Sequence, residues 1–94
     1  MGQLFVTIKR LVASERYVVS QHAAERLEER GVLEWQVVEG ISHGALLAEF
    51  PDARPNPLIE VEQLLADGAK IKAMWSHIVF ADIAKLVTVH FFDR

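Results

Sequence analysis

Gly44 divides the 94-residue chain into two regimes of hydrophobic spacing. Ahead of it, apolar residues recur at the three-to-four-residue interval of a helix that buries one face. Beyond it they alternate, or run in short blocks, as strands require. A chain whose period switches once, from helical to extended, segregates its elements. The expected fold is therefore a single α+β domain over residues 1–94, with N-terminal helices packed on one face of an antiparallel sheet.

In the first regime Leu4, Phe5, Ile8, Leu11 and Val12 predict an amphipathic helix over 3–14. Tyr17-Val18-Val19 favours extended chain and leaves room for a short extra strand at 17–19. Ser20 can cap a helix over 21–30, and Gly31 can end it in the left-handed conformation. A third helix is expected over 34–43, burying Trp35, Val37, Val38 and Ile41.

The second regime gives four strands in a meander. ALLAEF (45–50) comes first, and the proline-rich PDARPNP (51–57) must be a loop. In the second strand, 58–65, Ile59, Val61 and Leu65 face one way and Glu60 and Glu62 the other. Asp67-Gly68 signals a hairpin turn. The apolar run 71–81 reads as a central strand, Asp82 to Lys85 as a turn, and 86–92 as the closing strand.

No cysteine is present, which excludes a disulfide scaffold and thiolate metal sites. No apolar run approaches the roughly 18 residues of a membrane span, and the N-terminal run is too short for a signal peptide. The expectation is a cytoplasmic protein that does not engage a membrane. Net charge is −3, so the chain has no global field that would gather nucleic acid.

The stretch SQHAAERLEERGV, from Ser20, concentrates the polar chemistry. At about 100° per residue, Arg26 and Arg30 follow His22 at about 40° and 80°, on the border of the buried face. Such a border can point into a cleft. It can equally be the wet side of a helix whose charge pairs each contribute only about 0.2–0.5 kcal/mol. His77 lies mid-strand among large apolar residues, sharing a face with Trp75 and Val79, and needs a partner for its ring nitrogens. Thr88 and His90 share one face of the last strand. No histidine pair has the i, i+4 spacing of a zinc motif, no glycine elbow marks a nucleophilic serine, and no glycine-rich phosphate loop occurs. Neither a metal nor another cofactor is expected.

The run Ser20, His22, Ala23, Arg26, Arg30, Gly31, Val32 resembles the helix signature of a small bacterial family, domain of unknown function 4258. GALLAEFPDARPNP is similar to that family's glycine, strand and proline-loop segment. SHIVFA resembles its His-Val-Val strand, at His77, and LVTVHFFD its closing strand. The likeness spans about residues 17–93. His90 stands where the family tends to have Tyr, Phe92 where Pro is usual, and Leu33 where Ser or Thr would cap the third helix. The family's element order is similar to that of RelE-like and barnase-like ribonucleases.

The resemblance implies a metal-independent, toxin-type endoribonuclease, with RNA or the ribosome as target and a cognate antitoxin as partner. RNA supplies its own 2′-OH nucleophile. His22 or His77 would act as base or acid, Arg26 or Arg30 would clamp phosphate, and Thr88, beside His90, would position it. This requires His22, Arg26, Arg30, His77, Thr88 and His90 to converge. Glu25, Glu28 and Glu29, beside the arginines, oppose phosphate capture. The alternative is a non-catalytic module that binds a protein or forms a homodimer. Its arginines bridge helix to sheet edge, and Trp75, Phe91 and Phe92, where exposed, serve as anchors.

Overall fold

The structure, a computed structural model, describes residues 2–92. Its order is α1 (Gln3–Ala13), β1 (Tyr17–Val19), α2 (Gln21–Glu29), α3 (Glu34–Gly40) with a 3-10 turn at Ile41–His43, β2 (Ala45–Phe50), β3 (Leu58–Leu64), β4 (Lys70–Ile78) and β5 (Ile83–Phe91). The class is the expected α+β, but the sheet has five strands, ordered β1-β5-β4-β3-β2. β2 to β5 form the antiparallel meander, and β1 joins the edge of β5 in parallel, Tyr17 opposite Ala84 and Val19 opposite Leu86. Among the described residues no helix is long and apolar enough to cross a membrane.

The helices cover one face of the sheet. Phe5, Ile8, Leu11 and Val12 of α1, Ala23 and Leu27 of α2, and Val37 of α3 bury against Ile59, Val61, Ile71, Ala73, Trp75, Ala84, Leu86 and Val89. α1 has glycine at its N-cap and so no side-chain cap of its own. Glu49 of β2 supplies one, its Oε2 accepting from the Phe5 N–H at 2.9 Å. A carboxylate there satisfies an orphan donor and meets the positive end of the helix dipole.

A bulge decides which way the end of β5 points. Trp75 pairs with Leu86, but Met74 pairs with Thr88, so Val87 is an extra residue. Inward positions step from Leu86 to Val89, three residues rather than two, and every later side chain changes face. Ser20 closes the gap. Its Oγ accepts from the Ala23 N–H at 2.9 Å, capping α2, and donates to the Val87 carbonyl at 2.7 Å. Ser20→Ala should therefore cost about 1–2 kcal/mol, more than a surface cap is usually worth, read as a lower unfolding midpoint in urea.

Close approach explains Gly44. A Cβ there would lie 2.4 Å from Val61 Cγ1 and 3.2 Å from the Glu62 carbonyl oxygen. Its φ is −75°, which any residue adopts, so the constraint is space alone. Gly44→Ala should destabilise by about 1–3 kcal/mol, the usual range for overpacking, measured by thermal unfolding.

Several expectations are corrected. Trp35 is 54% exposed, because α3 ends at Gly40 and turns only Val37 fully inward. At the far end of β3 the inward residue is Gln63; Leu65 follows the strand and packs against the core's margin. β4 stops at Ile78 and β5 starts at Ile83, so Val79 lies in the turn rather than on the Trp75 face. Trp75 is wholly buried and cannot anchor a partner, whereas Phe92 is exposed.

Candidate functional site

The residues singled out for chemistry occupy three separate places. The first is the outer edge of β5. Because β1 is only three residues long, it leaves later carbonyls of that edge without a strand partner. α2 takes its place. Arg26 Nε donates to the Val89 carbonyl at 3.3 Å, and the Arg26 and Arg30 guanidinium carbons stand 5.9 and 4.5 Å from the Phe91 ring centroid. Each such cation–π contact contributes about 0.5–1 kcal/mol at an exposed site. The arginines thus fasten the helix to the sheet edge and cover the end of its last strand. His22, in the first turn of the same helix, is exposed.

The second place is the β4–β5 turn. His77 is opposite Ala84, five residues along β5 from the carbonyl that Arg26 takes, a separation of about 16 Å at strand rise. Its Nε2 lies 3.0 Å from Asp82 Oδ1. Asp82 has φ 53°, the left-handed region that Asp tolerates better than most residues. The Arg16 Nε and Nη2 donate to the Asp82 and Ala81 carbonyls at 3.1 and 3.2 Å, and the Asn56 side chain accepts from the Val79 N–H at 3.3 Å. At the tip of this pinned turn Phe80 is 92% exposed.

The third place is the sheet face that no helix covers. Thr88 lies across from Met74, and His90 from Lys72, on the side opposite Val89 and Phe91. Without the extra Val87 both side chains would face α2; with it they face away. The His90 ring meets that of Phe92 edge to face, at 6.1 Å between centroids.

Two open grooves formed by the described residues bear on function. One, of about 700 Å³, runs between α1 and α3 and is lined in part by Val12, Tyr17, Trp35, Ile41 and Leu64. The other, of about 600 Å³, lies at the β2–β3 corner beside the proline-rich loop, with Phe50, Pro51, Leu58, Met74, Asp52 and Glu60 in its lining. None of the residues expected to be catalytic lines either groove. No cluster of three or more His, Asp or Glu side chains suited to a metal ion occurs among the described residues.

The chain matches no family model, no curated protein and no solved structure. Sequence reasoning missed Arg16, Asn56 and Phe80, and saw Asp82 only as a turn residue. The signal for the His77–Asp82 pair was the five-residue spacing across a turn, and it becomes visible only once Asp82 is allowed a positive φ.

Proposed function

We propose that this chain is a non-catalytic protein-docking module. Phe80 carries the reading. It exposes 92% of its surface on a turn held by Arg16, Asn56 and the Asp82–His77 pair. The backbone that carries this exposed ring is already held, so a partner that covers it has only the side chain's own rotamers left to order. The α2 arginines support the same reading from the other side. Their guanidinium groups are engaged with Phe91 and the β5 edge, a structural role that does not require a substrate.

One observation favours the ribonuclease reading, in altered form. Asp82 orients the His77 imidazole, and the Arg16 guanidinium stands on the same turn. A base, its orienting carboxylate and a cation are the minimal parts for proton transfer beside a phosphate. That version would use His77, Asp82 and Arg16, with Arg26, Arg30, Thr88 and His90 outside it.

One comparison separates the readings. Purified chain is incubated with RNA and with translating ribosomes, and wild type, His22→Ala and His77→Ala are expressed in bacteria. The docking reading expects intact RNA and equal growth for all three. Cleavage and growth arrest by wild type, both lost in His77→Ala, would establish the nuclease instead.

A further inference from the structure

Phe80 has a matching receptor on the chain's own surface, and we infer that the module docks a second copy of itself by reciprocal insertion. The inference rests on the docking reading above and names its partner. The row Phe50, Leu58, Ser76, Lys85 crosses the sheet from β2 to β5. The groove at the β2–β3 corner opens beside the start of this row, and the turn carrying Phe80 lies just beyond its other end. Turn and groove therefore stand at the same end of the sheet, about two strand spacings, or roughly 10 Å, apart.

They are also rigidly joined. Pro57 accepts from the Ser76 hydroxyl at 2.8 Å and from the His77 N–H at 3.1 Å, and Asn56 holds the Val79 N–H. The loop that walls the groove is thus the loop that steadies the turn. A two-fold axis between the two features puts each Phe80 into the groove of the other copy. The contact is self-complementary and closes at two copies rather than running on as a filament.

Chemistry matches as well as position. The groove has an apolar floor of Phe50, Pro51, Leu58 and Met74, and room for a benzyl group in its roughly 600 Å³. Its charged lining is acidic: Asp52 and Glu60, the latter 4.0 Å from Lys72, while the Glu49 carboxylate is turned to the α1 N-terminus. The turn is flanked by the Arg16 guanidinium and Lys85, while its own carboxylate, Asp82, is held by His77. Opposite charges would thus meet around an apolar centre, an arrangement that fixes register as well as attraction. Pairing through the free edge of β2 is a poorer route, because the ladder shifts register at Leu47.

The test is sedimentation equilibrium of the full chain from about 1 µM to about 1 mM. Wild type should pass from monomer to dimer within that range. Phe80→Asp should raise the dissociation constant about 30-fold or more, with unchanged circular dichroism and unfolding midpoint. Phe80→Ser gives the same reading should the charged variant misfold. Phe50→Asp, which blocks the groove, should weaken association comparably. A mixture of Phe80→Asp and Phe50→Asp retains one intact turn and one intact groove, and should associate more tightly than either variant alone. Wild type that stays monomeric, a dimer indifferent to Phe80, or a mixture no tighter than its components would overturn the inference. None of those results would restore catalysis. The docking reading itself is lost if the purified chain cleaves RNA, and His77 dependence then assigns the cleavage to the β4–β5 turn.

Discussion

Trp75→Ala should lower the folding free energy by about 3–5 kcal/mol, the range for losing a large aromatic from a packed core. Trp75 is the largest wholly buried side chain among the described residues and sits on β4 between Ile59 of β3 and Leu86 of β5. Strand backbones flank it on both sides, and a sheet collapses poorly around a hole, which places the cost toward the upper part of the range. A domain of this size holds about 5–15 kcal/mol in all, so the variant should be marginal. Urea unfolding followed by far-ultraviolet circular dichroism measures the change; a loss under about 1.5 kcal/mol, the usual ceiling for a volume-conserving swap, would mean Trp75 does not organise the core as described.

Gln63→Leu is the second large effect, and its cause is polar. Gln63 is 2% exposed. Its amide nitrogen donates to the Val37 carbonyl at 2.8 Å, and its amide oxygen accepts from the Trp75 indole N–H at 3.1 Å. One side chain thus links α3, β3 and β4 and satisfies two buried groups. Leucine keeps most of the volume but leaves a donor and an acceptor unpaired, at about 1–3 kcal/mol each. A double-mutant cycle with Trp75→Phe separates the terms. The phenylalanine variant removes the indole donor, so Gln63→Leu should cost less in that background. Equal costs in both backgrounds would show that the bond to Trp75 contributes nothing.

Much of this architecture is legible in the residues. Ser20 and Gly31 bracket α2 because capping and left-handed termination act within a few residues of the chain. β2 is found at its observed bounds because glycine and proline flank it. What escapes is whatever depends on a partner far along the chain. Trp35 reads as core by spacing, but α3 is too short to bring that side of the helix onto the sheet. Gln63 is passed over because a buried glutamine is recognisable only from the two groups it satisfies. The run Ile78 to Ala81 looks like uninterrupted strand because apolarity carries no information about turning; Asp82 supplies the turn.

The dispersal of the expected site has the same origin. Thr88 and His90 do share a face, as alternation requires, but one inserted residue at Val87 assigns that face to the side away from α2. Nothing in LVTVHFF announces the insertion. Helical spacing puts the arginines at the border of the buried face, where Arg26 is half-buried and Arg30 exposed. Their destination, a carbonyl and an aromatic ring on β5, could not be read without knowing that β1 stops at Val19.

The parallel pairing of β1 with β5 sets an order of events during synthesis. Residues 17–19 find their ladder only on residues 84–86, and Ser20 and Arg26 find their acceptors at Val87 and Val89. A nascent chain that has reached residue 82 can close the β3–β4 hairpin, yet it must hold β1 and α2 undocked. β1 and α2 thus wait for acceptors 63 to 67 residues further along the chain, and in that interval the apolar side of α2, Ala23 and Leu27, lacks the β5 surface that covers it.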